Sequence, residues 1–340
     1  MILSKILHSL YAKIYIGIIL SGAKTQVCVH TLKGNKLEES YMQLFDGRDV
    51  SEEMSSYIAS VVSDTPYYYI SLLDYSSNQG AASSCDEAEF RKYSDSKTSQ
   101  HICHGDWNSF TSKVDIIDFE KKYDAFGLDF IFSPYTVLTR FFKDKTSEAA
   151  TLFVLVQEDS LAMCIFEESK LKYSEFVDMR NDTADENIGI IDDNKDDMDL
   201  DLEDIHSVNL EDIDVDEGFA ELDDLTDIED LDNVDELEDF TEVRVDAPQI
   251  DMDIDGIDSS KGMGFNDNYR RFSAIQSALN EFYSDPKYEN KFIETVYIAA
   301  ACTVEKELKS YLEDELFLRV HIRQLNMCEE LFELAKGENI

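Results

Sequence analysis

Apolar residues in this chain follow two different periods, and the places where the period changes mark out its elements. Three runs near the start, 13–20 (KIYIGIIL), 25–32 (TQVCVHTL) and 37–45 (LEESYMQLF), are of strand length and rich in β-branched and aromatic residues, with short polar turns at 21–24 and 33–36. Such a series predicts an antiparallel meander. The same unit recurs at 151–157 (TLFVLVQ), 161–167 (LAMCIFE) and 171–177 (LKYSEFV), with turns at 158–160 and 168–170. A supersecondary unit used twice implies a duplicated fold.

Helical and strand periods then alternate after each meander. In the first half, 51–62 opens on Ser51 and two glutamates, as a helix start does, and 67–73 (YYYISLL) reads as a buried strand. Residues 74–112 are polar with few apolar anchors, an inserted subdomain or long loop. Next come a helix over 116–126 ended by Gly127, a strand over 128–132, and a helix over 134–143 with Pro134 in its first turn. In the second half, 268–283 puts Phe272, Ile275, Leu279 and Phe282 on one helical face. A strand over 292–299, a helix over 303–316 capped by Thr303, a strand over 318–325 and a last helix over 328–336 follow. Both halves predict β-β-β-α-β-α-β-α, an α/β chain of two lobes. The first lobe is 1–147, with its insert at about 74–112; the second is 148–180 plus 262–340; 181–261 is an insertion.

Charge sets that insertion apart. The chain carries a formal −43, and 33 of its 73 acidic residues lie in 181–260, opposed there only by Lys195 and Arg244. Single aliphatic residues such as Leu200, Leu202, Ile205, Leu210 and Ile213 stand between the acids at spacings that keep neither period. Repulsion at this density opposes compaction, which predicts a disordered solvated tract. The alternative is a docking segment whose acid-plus-aliphatic pairs meet a basic groove on a partner. No basic patch stands out, and so negative a field disfavours nucleic acid and anionic bilayers as partners.

The six cysteines are scattered, three in apolar runs where the thiol behaves as a small hydrophobe, and this predicts a reducing compartment. The first 23 residues have some features of a signal peptide, and Ile2, Ile6 and Leu10 keep a helical spacing. His8 and Lys13 interrupt that stretch, and the unbroken apolar run, 14–20, is far short of the ~18 residues a membrane span requires. Cys85, His101, Cys103 and His104 lack the paired spacing of a zinc site, so a polar loop in which Cys103 pairs with Cys85 on oxidation is the simpler reading. The run 251–256 (DMDIDG) copies the first half of a calcium loop, but position twelve is Gly262 where a glutamate belongs. Trp107, the single tryptophan, reads as a packing anchor for the insert.

The duplicated unit with insertions at different places resembles the actin-like superfamily, the ribonuclease H-like duplication of sugar kinases, heat-shock-type ATPases and actins. More narrowly, the run Tyr123-Asp124-Ala125-Phe126-Gly127-Leu128, then Ser133-Pro134-Tyr135 with Leu138, the end of the second meander at Lys170–Ser174, and Val296-Tyr297-Ile298-Ala299 before a helix are similar to the PilM and GspL types, assembly proteins of type IV pilus and type II secretion machines. The resemblance implies a cytoplasmic protein, peripheral to the inner membrane through its partners. Those partners would be the tail of a membrane assembly subunit and a motor ATPase.

Actin-like ATPases hold phosphates on two hairpin turns of the form Asp-x-Gly, where glycine lets backbone N–H groups approach and aspartate reaches the metal. Here the first turn has Ser21, Gly22 and Lys24 and no acid, while the second, Gln157-Glu158-Asp159-Ser160, has acids and no glycine. The adenosine turn, a glycine pair in the superfamily, is Ala299-Ala300-Ala301-Cys302. The degenerate cleft is therefore drawn by Ser21, Gly22, Lys24, Asp159 and Ala300, with no catalytic residue, no metal and no cofactor expected. Three function classes stay open: a non-catalytic scaffold, a divergent actin-like ATPase or kinase with relocated phosphate contacts, and an acidic regulatory or docking protein.

Overall fold

The computed structural model describes residues 11–34, 36–63, 65–90, 97–146, 149–180, 260–286, 288 and 291–338, with side chains of the long helix from 267 onward. The helical spacing before Tyr11, the acidic tract and the calcium-loop copy lie outside the described residues.

The first meander forms β1 (Lys13–Ser21), β2 (Lys24–Lys33) and β3 (Lys36–Asp46). Helix α1 (Glu52–Val62) follows, its Ser51 side chain accepting from the Met54 N–H as an N-cap. Then β4 (Tyr68–Leu73) pairs parallel to β1, Ile14 opposite Tyr68 through Ile18 opposite Leu72. After an insert come α3 (Lys113–Lys122), β8 (Phe130–Phe132) parallel to β4, and α4 (Pro134–Phe141). The sheet order is β3-β2-β1-β4-β8.

The second half repeats the plan. Strands β9 (Thr151–Val156), β10 (Ser160–Glu167) and β11 (Lys170–Asp178) form the meander, α5 (Ser260–Ser284) follows, then β12 (Thr295–Ala300), α6 (Lys306–Asp314), β13 (Arg319–Gln324) and α7 (Met327–Gly337). Its sheet order is β11-β10-β9-β12-β13. Two sheets of identical order, each an antiparallel meander continued by two parallel strands, make the fold two-lobed and actin-like.

Both central strands, β1 and β9, are buried on both faces, and their alternation divides the core three ways. Ile14, Ile16, Ile18 and Leu20 of β1 pack with Met54 and Ile58 of α1 and Phe119 of α3. Leu152, Val154 and Val156 of β9 pack with Phe272, Ile275 and Leu279 of α5 and Leu308 and Leu312 of α6. The opposite faces, Tyr15 and Ile19 of β1 and Phe153 and Leu155 of β9, share one core between the lobes with Tyr135 and Leu138 of α4 and Leu331 and Phe332 of α7. Helix α7 is thus the last element of the second half yet packs on the first sheet. A Cβ at Gly17 would stand 3.4 Å from Leu331 Cδ1, so a small residue in β1 lets α7 lie close.

The 74–112 stretch carries a three-stranded sheet, β5 (Gln79–Ala82), β6 (Ser99–His104) and β7 (Trp107–Ser112) in order β5-β7-β6, with a one-turn helix α2 (Glu87–Phe90). Asp74 anchors it: the buried carboxylate accepts from the Ser76 N–H and hydroxyl at 2.8 Å and from the Thr111 hydroxyl at 2.6 Å. Burial raises its pKa, an effect these donors oppose. Trp107 does more than hold the insert together, since its ring meets Phe166 of β10 edge-on with centroids 6.0 Å apart.

Two expectations need correction. Thr303 does not cap α6: the Ala301 N–H bonds to Val156 O, which prolongs strand geometry past β12 and moves the helix start to Lys306, with Glu305 at the N-cap position. Nor are the cysteines independent hydrophobes. Cys28 of β2 is bonded to Cys328 of α7 across a sequence separation of 300, and Cys85 to Cys103 across 18, leaving Cys164 and Cys302 free. Sequence distance says nothing of a pairing created by α7 crossing onto the first sheet.

Candidate functional site

The two hairpin turns that would hold phosphates face each other across the gap between the lobes. Gly22, at φ +56°, takes the left-handed conformation a two-residue β1–β2 turn requires. In the second turn the Gln157 N–H bonds to Ser160 O at 3.0 Å, and Asp159 O accepts from the Met179 N–H at 2.9 Å. These bonds fix Glu158 and Asp159 toward the first lobe.

Glu158 lies directly over the first turn. Its Oε2 accepts from the Ser21 hydroxyl at 2.7 Å, and a Cβ built on Gly22 would fall 2.7 Å from its Cδ and Oε1. Beside it, Arg48 Nη1 donates to Gly22 O at 2.7 Å and to Asp159 Oδ2 at 2.5 Å, bridging both turns in one half-buried contact. The guanidinium also stands over the Tyr75 ring at 5.6 Å. Farther along the gap the Ser77 hydroxyl donates to Asp178 Oδ2 at 2.8 Å, and Arg180 clasps the same carboxylate from its own side. Burial alone would raise the Asp178 pKa, but the hydrogen bonds from Arg180 and Ser77 hold it down at about 2.

The adenosine-side turn is closed differently. Ala300 is buried, and its carbonyl accepts from the Leu325 N–H. Arg271 of α5, only 6% exposed, reaches Gln157 O, Thr303 O and Cys302 Sγ, each at 3.5 Å. Among the described residues its Nε has no partner, and one turn earlier neither does the Oδ1 of buried Asn268, whose amide nitrogen donates to Glu305. Burial pushes the Cys302 thiol up while Arg271 beside it pulls the other way.

Of the residues the sequence singles out, Ser21, Gly22 and Asp159 come together, Ala300 lies at the neighbouring strand end, and Lys24 is exposed at the start of β2. The cation at the turns is Arg48, which no motif marks. Arg271 was equally hidden within a helix pattern. Glu158 was visible as an acid without glycine, but not as the group that covers Gly22. In the insert Cys85 and Cys103 are bonded to each other, and His104 Nε2 sits 2.9 Å from the Ser109 hydroxyl. Among the described residues no group of three or more metal-ligating side chains converges, and no helix is long and apolar enough to cross a membrane.

With this geometry in hand, residues 152–340 match the model of a family described as Domain of unknown function (DUF8341). The chain belongs to the DUF8341 family. Residues 11–139 match a second model, Domain of unknown function (DUF8569), so the boundary between the two falls between the lobes. No curated protein sequence matches. Solved structures similar to this DUF8341 chain include a Bacteroides thetaiotaomicron protein with an actin-like ATPase fold and unknown function, 9% identical over 94% of this chain and 95% of that one, TM-score 0.45. Another is the PilM–PilN type IV pilus biogenesis complex, 9% identical over 94% of each chain, TM-score 0.45. The ethanolamine utilization protein EutJ from Carboxydothermus hydrogenoformans is 7% identical over 92% of this chain and 84% of that one, TM-score 0.36. The fold assignment rests on strand order and register, which the DUF8341 chain displays on its own.

Proposed function

We propose that this protein is a non-catalytic actin-like scaffold whose gap between lobes is closed by its own side chains. The observation that carries the reading is Glu158: its carboxylate rests on Gly22 in the space where a phosphate would approach the turn amides, and Arg48 ties both turns together beside it. A phosphate entering there must displace one anion and expose another, Asp159, to like charge. Specific function lives in such contacts and not in the fold that carries them.

The setting proposed is the one its sequence resemblance implies, a type IV pilus, type II secretion or DNA-uptake machine, with the protein linking membrane assembly subunits to the motor ATPase. Calorimetric titration with Mg-ATP is expected to show no heat below the millimolar range, and micromolar binding overturns the scaffold reading. Capture from membrane extract with the full chain is expected to retain a pilus or secretion component at high salt, because buried apolar contacts are insensitive to screening. Absence of any such component from every eluate counts against the setting but not against the closed gap.

One observation favours the rival reading, a divergent ATPase or kinase with relocated contacts. Arg271 Nε and Asn268 Oδ1 are buried polar atoms without partners among the described residues beside the adenosine-side turn, where a ligand edge would satisfy both. On that reading the same titration shows binding that Arg271→Met abolishes.

A further inference from the structure

The two five-stranded sheets have four edge strands, and three of them are protected by known means. Strand β8 is three residues long, β13 lines its edge with Arg319 and Arg323, and β11 is covered by the insert, where the Ser174 hydroxyl donates to Ala81 O at 2.7 Å. The fourth, β3, is long, is not covered by another element among the described residues, and carries its charges only toward its ends. It is eleven residues long, pairs only with β2, and every residue except Phe45 is exposed. Its charges lie at the two ends, Lys36, Glu38 and Glu39 near the hairpin and Asp46 at the other end; the middle, 40–44 (SYMQL), has none. Tyr41, Met42 and Leu44 are 43, 50 and 46% exposed there.

The register divides this stretch between two faces. Met42 and Leu44 lie opposite Cys28 and Gln26, on the face where Cys28 is bonded to α7; Tyr41 lies opposite Val29, on the face of α1. A long edge with an apolar middle, whose outward main-chain groups have no partner among the described residues, accepts one kind of occupant well, another strand.

We infer that the β3 edge is a docking site for an extended segment of a partner protein, added to the sheet as a sixth strand. Chemistry at the edge specifies that segment: about five β-branched or apolar residues at its centre, to cover Met42, Leu44 and Tyr41, and Lys or Arg at both ends, to meet Glu38 and Glu39 on one side and Asp46 on the other. Main-chain hydrogen bonds supply affinity and the alternating side chains supply selection. The inference supplies a partner for a scaffold; it concerns the outer edge of β3, whose Asp46 end pairs with Lys24 beside the first turn, and it stands whether or not the gap admits nucleotide.

The test uses the full chain and a fluorescein-labelled synthetic peptide, RKVTVTVKR, read by anisotropy at about 1 M salt, where a Debye length near 3 Å suppresses charge attraction to the acidic chain. The peptide is expected to bind. Methylating its main-chain nitrogens at alternate residues along one edge should abolish binding, while methylating the other set should not, because only one edge faces β3. Met42→Thr combined with Leu44→Thr keeps strand propensity and is expected to weaken binding about tenfold, a loss of about 1.4 kcal/mol, with the melting midpoint unchanged. No binding by the peptide, equal binding by the double variant, or indifference to both methylation patterns overturns the inference. So does sedimentation showing a dimer of the chain that the double variant dissociates, since the occupant is then a second copy.

Discussion

The first hairpin turn has a glycine and no acid; the second has two acids and no glycine. Each lobe alone looks like a damaged copy of one ligand-binding turn, and the reading from motifs stops there. Placed face to face, the two turns are complementary: Gly22 provides the open backbone, Glu158 fills it, and Arg48 serves the Gly22 carbonyl and Asp159 together. The difference teaches that what one turn lacks can be matched on the other, so that the two turns contact each other across the gap. Behind them the supporting strands do not differ, since β1 and β9 are equally buried.

The largest effects test that equivalence. Ile18→Ala in β1 and Leu155→Ala in β9 each remove a fully buried side chain and should each lower stability by about 3 kcal/mol. Calorimetry should show one shared transition, because Tyr15 and Phe153 belong to a single core between the lobes. Two separate transitions would show that the lobes melt independently and that the turns are not held together by the fold.

Next comes the bridge. Arg48→Ala leaves Asp159 without its partner and should cost about 2 kcal/mol, below the usual cost of breaking a buried pair because both groups keep some solvent contact. Lys24→Ala, at an exposed position in the same turn, should stay within about 0.5 kcal/mol. Denaturant titration of both variants decides, and equal effects would break the assignment of Arg48 as the bridging cation.

A smaller effect is expected at the glycine. Gly22→Ala adds a side chain at φ +56° and pushes the Glu158 carboxylate aside, for about 1 kcal/mol. In a Glu158→Ala background the cost should fall but not vanish, because the backbone part remains. An unchanged cost would mean Glu158 moves freely and does not cover the turn.

The smallest is a dependence on acid. The Asp178 pKa is held at about 2 in the folded chain against about 3.9 when unfolded. A depressed carboxyl stabilises fully above its unfolded value, and that contribution is lost as pH falls from near 4 toward 2. The melting midpoint of Asp178→Asn should therefore fall less steeply than that of the parent chain over this interval; parallel curves would show that the Ser77–Asp178–Arg180 contact adds nothing to holding the lobes together.

Most of the architecture could be read from the chain. Alternation within 13–20 and 151–157, the helical face of Phe272, Ile275 and Leu279, and the repetition of one order of elements predict two α/β lobes, and the resemblance they carry implies the actin-like fold. Such patterns are local: ten residues suffice to show which face of an element is apolar. The miss at Thr303 was local too, where one backbone bond from Ala301 to Val156 displaced a helix start.

What only tertiary structure decided is every contact that gives the candidate site its meaning. Arg48 meets Asp159 over 111 residues of sequence, Ser21 meets Glu158 over 137, and Cys28 meets Cys328 over 300. None has a periodicity or a motif, because each depends on the register of two sheets and on α7 crossing to the first of them. The chain by itself determined the strands, the helices and their duplication, since hydrophobic burial acts on each element separately. Which turn covers which, and with what charge, was settled by packing the two lobes on one shared core.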